Sequence, residues 1–289
     1  MEYVFMRYPD GKAKAATFSY DDGRVEDLRL VEIFDKYGVR GTFNLNSLSY
    51  RKNGLAKEQI RELFLKKGHE IAVHGEAHRA NGSVSVIDGI RDVLNCRLEL
   101  EDTFDRIIRG MAYPSTGVIA LNNLVKYEDV KRYLTDLGIV YARTLNADNN
   151  SFTLPDDFHA WMPSIHHTNP DAMSYVDEFV ELDLAYGKIH KLKRHPRLLY
   201  IWGHAHEFST DNNWDLMERI CEKLTADKDI WFATNIEIYD YGTAYKSLVY
   251  SADGYRVYNP TAIKVWIDVD GTLYSINPGQ TIKIEEKNI

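Results

Sequence analysis

Apolar and polar positions along this chain fall into short blocks whose period alternates between that of a strand and that of a helix. "KAKAATFSY" is a mostly apolar run that reads as a buried strand. In "VEDLRLVEIFDKYG" the apolar positions recur every three or four residues, as on one face of a helix, and Gly38 supplies the stop. The same alternation continues through "VRGTFNLN" (strand), "AKEQIRELFLKKG" (helix), "HEIAVH" (strand), "SVIDGIRDVLNCRLELEDTFDRII" (long helix) and "RGMAYP" (strand). Beyond these come "NLVKYEDVKRYLTDLG" (helix), "IVYART" and "WMPSIH" (strands), "DAMSYVDEFVELDLAYGKI" (helix), "RLLYIWGH" (strand), "WDLMERICEKLTAD" (helix) and "IWFATN" (strand). Seven or eight strands separated by helices predict an α/β fold of parallel β/α units, closed into a barrel.

From Lys246 the pattern changes to short alternating runs broken by Asp-Gly and Pro-Gly, the mark of antiparallel strands with tight turns. No low-complexity linker precedes this segment. The expectation is therefore a barrel over residues 1–245 and a small antiparallel β extension over 246–289 packed against it.

Composition narrows the function. With 289 residues, 44% hydrophobic and 27% charged, the chain is that of a globular protein. Its net charge of −8 and the lack of a clustered basic patch argue against nucleic acid as a partner. No apolar run approaches the roughly 18 residues of a membrane span, and the start "MEYVFMRYPDGKAKA" lacks the apolar core of a signal peptide. Cys96 and Cys221 lie in helical patterns and read as buried free thiols. Together these features lead to the expectation of a cytoplasmic protein. Nothing in them fixes the oligomeric state.

The candidate chemistry gathers where predicted strands end, which in a parallel barrel is one mouth. Asp21 and Asp22 follow the first barrel strand, His74 ends "HEIAVH" with His78 four residues on, Pro114 and Ser115 follow "RGMAY", Arg143 ends "IVYART" and His204 ends "RLLYIWGH". Adjacent carboxylates repel unless a cation is near. A His-x3-His pair brings two imidazoles together on one helical turn, or on a loop wrapped around a cation. With Asp22 as an oxygen ligand, the set suits a divalent metal with positions left open for water and substrate.

Taken together, "TFSYDDG", "GHEIAVHGEAH", "AYPSTG" and "LLYIWGH" resemble the ordered motifs of the polysaccharide deacetylases, carbohydrate esterase family four, from about Ala13 to His204. The resemblance implies a distorted β/α barrel that uses one divalent metal, here expected to be zinc, to remove an acetyl group from an acylated sugar or short oligosaccharide. It implies Asp21 as catalytic base, Asp22, His74 and His78 as metal ligands, His204 as general acid, and the backbone at Ser115, after Pro114, as an oxyanion donor. The sequence departs from the family at Ala112, where an arginine is expected beside the base, and no clear fourth motif is found. Arg143 is the proposed substitute. The run "DDFHAWMPSIHHTNP" occupies the fourth motif's place, making His166 and His167 candidates to line the site and Trp161 a candidate to stack on a sugar ring. In "HAHEF", His204 is preferred over His206 because it directly follows the strand. Two other readings stay open: a C–N hydrolase acting on a non-sugar amide, and a non-catalytic carbohydrate-binding relative.

Overall fold

The computed structural model describes residues 3–115, 118, 124–145, 152–185, 190 and 194–285. Strand β1 (Val4–Arg7) leads through a turn into β2 (Lys14–Asp21), all eight residues of which are buried. That pattern belongs to a strand covered on both faces. Helix α1 (Asp27–Tyr37) follows and ends where Gly38 adopts φ 69°, the left-handed conformation that glycine reaches without steric cost. Next come β3 (Thr42–Leu45) and α2 (Lys57–Gln59), which continues through a π turn at Ile60–Phe64 and a 3₁₀ turn at Leu65–Lys67. Strand β4 (Glu70–Val73), helix α3 (Val86–Phe104), β5 (Gly110–Ala112), α4 (Tyr127–Asp136), β6 (Tyr141–Arg143), β7 (Ile165–His166), α5 (Ala172–Glu181) and β8 (Arg197–Gly203) extend the alternation. After α6 (Ala205–Thr210) and α7 (Trp214–Ala226), β9 (Ile230–Phe232) completes the set.

The strands form one parallel sheet in the order β6-β5-β4-β3-β2-β8-β7, with β9 pairing the first half of β2. Residues 161–167 bring the two ends of the sheet together. Trp161 bridges Arg143 and exchanges backbone hydrogen bonds with Ala142 and Thr144, while Ser164 and His167 donate to the carbonyls of Tyr200 and Trp202 in β8. The result is the expected distorted β/α barrel. Among the described residues no helix is long and apolar enough to cross a membrane.

Two helices end earlier than their patterns predict. Helix α3 stops where Asp105 turns left-handed at φ 52°, and Glu101 accepts the N–H of Ile108 at 2.8 Å, tying down the departing chain. Helix α5 stops at Glu181 because Leu182 is already extended. Helix α8 (Asn235–Lys246), capped reciprocally by Thr234 and Glu237, is an addition to the predicted pattern.

Beyond α8, strands β10 (Val249–Tyr250), β11 (Arg256–Tyr258), β12 (Val265–Val269), β13 (Thr272–Ile276) and β14 (Thr281–Lys283) form two antiparallel sheets, ordered β10-β11-β14 and β1-β12-β13. The N-terminal strand thus belongs to the C-terminal sheet, with Phe5 opposite Asp268. A shared apolar cluster joins Ala244 and Leu248 at the end of α8 to Val257, Val265, Ile267 and Ile276. Asp268 receives Arg7 at 3.1 Å and both terminal nitrogens of Arg194, and all three side chains are less than 10% exposed.

Removing the shared carboxylate would take the common counter-charge from two buried guanidinium groups. Asp268→Ala should therefore cost about 3–5 kcal/mol in urea unfolding. A loss below about 1 kcal/mol would show that this network does not hold the extension to the barrel.

Candidate active site at the barrel mouth

Strand β2 delivers two carboxylates to two different environments. Asp21 keeps the strand conformation, and its side chain is 2% exposed. Asp22 turns to φ 76° and Gly23 to φ 60°, so the chain leaves the barrel abruptly and the Asp22 side chain, 20% exposed, faces the mouth. His78 (φ 56°) and Ser115 (φ 62°) are likewise in the left-handed region, which non-glycine residues rarely occupy. Such strain collects at functional sites.

Asp21 is held on both oxygens. Asn44, from β3, donates to Oδ1 at 2.8 Å, and Arg143, from β6, donates to Oδ2. Arg143 is fully buried, with its guanidinium 4.2 Å from the centre of the Trp202 ring. Burial alone would push the Asp21 carboxyl up, but Arg143, then His74 and His204, more than offset it, and the net shift is downward. Ala112 and Arg143 are directly opposite one another in the β5–β6 register. The guanidinium therefore reaches Asp21 from the strand beside Ala112, at the same level.

Asp22, His74 and His78 converge. The Nδ1 of His74 lies 2.9 Å from the Ala112 carbonyl, which can only accept, so Nδ1 carries the proton and Nε2 is left bare. Asp22 Oδ1 is 3.7 Å from this Nε2 and 3.6 Å from that of His78. One ligand atom from each of the three lies within 4.8 Å of the others. Burial lowers the His74 pKa and favours the neutral imidazole that binds a metal. The donors fit a divalent cation: two imidazoles, one carboxylate, and an open side where Asp22 and His78 are partly exposed.

The His-x3-His pair is carried by a loop, not by a helical turn. Gly75 adopts φ 78°, and a Cβ there would lie 2.2 Å from Asp92 Oδ2. Asp92, buried on α3, accepts from the N–H groups of Ala77 at 2.8 Å and Arg79 at 3.4 Å, shaping the loop between the imidazoles.

His204 follows β8 and caps α6. Glu207 accepts from the His204 backbone at 2.9 Å and lies 3.3 Å from its Nδ1. Burial works against a charged His204, but Glu207 and then Asp21 outweigh it and raise its pKa. The His206 pKa is lowered, chiefly by burial. Pro114 is buried, while Ser115 is exposed with its Oγ 3.4 Å from His78 Nδ1.

Two expectations need correction. Trp161 is 1% exposed and packs edge-on to Tyr141, Phe158 and Tyr200, so no face is free for a sugar ring. His167 is also 1% exposed, its ring stacked between Tyr20 and Phe208, and it does not line the mouth. His166 is 22% exposed. Asn44, Asp92 and Glu207 were not anticipated. Glu207 alone had a local signal, its capping position three residues after His204.

The polysaccharide deacetylase family model matches residues 8–140. Those residues belong to the polysaccharide deacetylase family. The match includes Asp21, Asp22, His74, His78 and Ser115, whereas Arg143, His166, His167 and His204 lie beyond it. No curated protein matches the chain. Among solved structures, a protein assigned as a polysaccharide deacetylase from Mycobacterium smegmatis is 17% identical, with a TM-score of 0.57 over 85% of this chain and 96% of that one. PuuE allantoinase is 12% identical, with a TM-score of 0.58 over 80% and 90%. A family 4 acetyl xylan esterase from Clostridium thermocellum, in complex with a cobalt ion, is 16% identical, with a TM-score of 0.50 over 78% and 90%. These likenesses establish a shared fold.

In this barrel the lowered Asp21 pKa is a stabilising contribution, present above the unfolded value of about 3.9 and lost as pH falls through the folded value. In Arg143→Met, burial dominates and the carboxylate becomes a liability above about pH 4. The variant should lose about 3–5 kcal/mol near neutral pH, with a smaller deficit near pH 4. Urea unfolding at both conditions tests this, and equal deficits would contradict it.

Proposed function

We propose that the chain is a divalent-metal-dependent deacetylase acting on an acylated sugar or short oligosaccharide. The observation that carries the reading is the division between two adjacent carboxylates: Asp21 is locked by Arg143 and Asn44, while Asp22 faces two imidazoles. Asp22, His74 and His78 would hold the cation, with zinc suited to their nitrogen and oxygen donors. Such a cation supplies Lewis acidity, activating water and polarising the acyl carbonyl.

The side chains then have separate tasks. Asp21 stays ionised because of its Arg143 contact and accepts the proton of the attacking water. Arg143 and Asn44 occupy both oxygens of that carboxylate and fix its orientation, 3.7 Å from His74 Nε2, where it serves as the base beside the ligand set. The backbone N–H at Ser115 stabilises the oxyanion of the tetrahedral intermediate. His204, whose basicity is raised by Glu207, carries the proton to the leaving amine or alcohol.

The burial of Trp161 removes the stacking platform expected for a sugar. That observation keeps a small non-sugar amide as a second reading. Assaying a panel of acetylated sugars and small amides, with and without added zinc, separates the two. On the best substrate, Asp21→Asn should retain zinc but lose turnover by about 10²–10⁴-fold, since an amide cannot accept the proton. Near-normal turnover in this variant would remove Asp21 from the mechanism.

A further inference from the structure

A second group of metal-type donors lies beside the site, outside the Asp22, His74 and His78 set. It is built where β7 ends against α6. His166 Nε2 and His167 Nε2 are each 3.4 Å from the same oxygen of Glu207, Oε2. One ligand atom from each of the three residues lies within 4.8 Å of the others. Zinc ligands at about 2.0–2.1 Å in a tetrahedron stand roughly 3.3–3.4 Å apart. We propose that His166, His167 and Glu207 form a second site for a divalent cation of zinc type.

His167 is the most constrained of the three donors. It is 1% exposed, and neither ring nitrogen makes a well-aligned hydrogen bond among the described residues, Nε2 only approaching Glu207 Oε2 to 3.4 Å. A buried polar group without a partner is costly and calls for an explanation. The ring cannot turn to find one. It stacks on Phe208 at 4.0 Å and 16° and on Tyr20 at 5.6 Å and 22°. Its Nδ1 edge lies against Gly203, where a Cβ would be 2.0 Å from that nitrogen. The scaffold thus spends a glycine and two aromatic faces on aiming Nε2 at the Glu207 carboxylate.

The other two donors are suited to the task. The ring of His166 is fixed edge-on against Trp202 at 4.4 Å. The Thr168 hydroxyl, 2.7 Å from His166 Nδ1, can accept that nitrogen's proton when Nε2 is given to a cation, as is usual for metal-bound histidine. The Thr168 N–H, which points at the same nitrogen from 3.2 Å, would give up its bond. Glu207 is ionised, its pKa lowered to about 2: burial opposes the charge, but hydrogen bonds from His204 outweigh it. His166 and Glu207 are 22% and 26% exposed, so a cation and a completing water can enter from the solvent side.

Glu207 also serves His204, at 3.3 Å from its Nδ1. Its carboxylate therefore lies between this donor set and His204. This second site stands independently of the deacetylase reading.

Equilibrium dialysis of the full chain against zinc or cobalt(II), with metal analysis, tests the proposal. The wild type should bind two equivalents. Glu207→Gln and His166→Asn, each checked for folding by circular dichroism, should bind one. A double variant, Asp22→Asn with His78→Asn, should also retain one, and a cobalt(II) absorption spectrum different from that of Glu207→Gln would mark it as the other site. If the wild type binds one equivalent that only the Glu207→Gln and His166→Asn changes remove, this proposal stands and the deacetylase metal site fails. Saturation of the wild type at one equivalent that the double variant abolishes would overturn it. So would a second equivalent left intact by both Glu207→Gln and His166→Asn.

Discussion

Two carboxylates on consecutive residues cannot share one low-dielectric environment and both remain charged without help. The rest of the site is arranged around that constraint. The chain separates the pair at the end of β2 by leaving Asp21 in the strand and turning Asp22 to φ 76°. One carboxylate then pairs with a buried guanidinium, with His74 Nε2 3.7 Å away, and the other faces both His74 and His78. The backbone conformation at a single residue thus converts a repulsive dipeptide into two positions with different chemistry.

The guanidinium shows how a barrel can keep an interaction while changing its source. Neighbouring parallel strands in register present their ends at one height, so a side chain from either can reach the same point over the mouth. Ala112 and Arg143 are such a pair. The Trp202 ring beneath the Arg143 guanidinium and the Asn44 amide on the far oxygen of Asp21 fix the ion pair from both sides. A buried pair of this kind is expensive to break, which binds the geometry of the base to the stability of the barrel.

Much of the fold was legible because β/α alternation is local: each strand and helix carries its own period and its own glycine stop. The elements that escaped depend on distant partners or on a mixed pattern. Strand β1 exists because it pairs with β12, at the far end of the chain. Helix α8 buries Asn235, Tyr241 and Gly242 beside Ile238, so polar and apolar positions do not separate along it. In the site, residues at strand ends could be read from position alone, which is why Asp21, Asp22, His74, Arg143 and His204 were accessible. Asn44 and Asp92 were not, since an asparagine in a strand and an aspartate on a helix carry no mark of what they will face. Trp161 and His167 illustrate the opposite failure. An aromatic ring that packs a core and one that awaits a ligand look the same in sequence, and only burial separates them.

The central claim is the unequal use of Asp21 and Asp22. Anomalous diffraction at the zinc edge, from crystals of the full chain grown with zinc, measures it directly. The account predicts a peak bounded by Asp22, His74 and His78, with Asp21 outside the coordination sphere and still paired with Arg143. Absence of a peak at that triad, or a peak with Asp21 turned away from Arg143 to become a ligand, would contradict it.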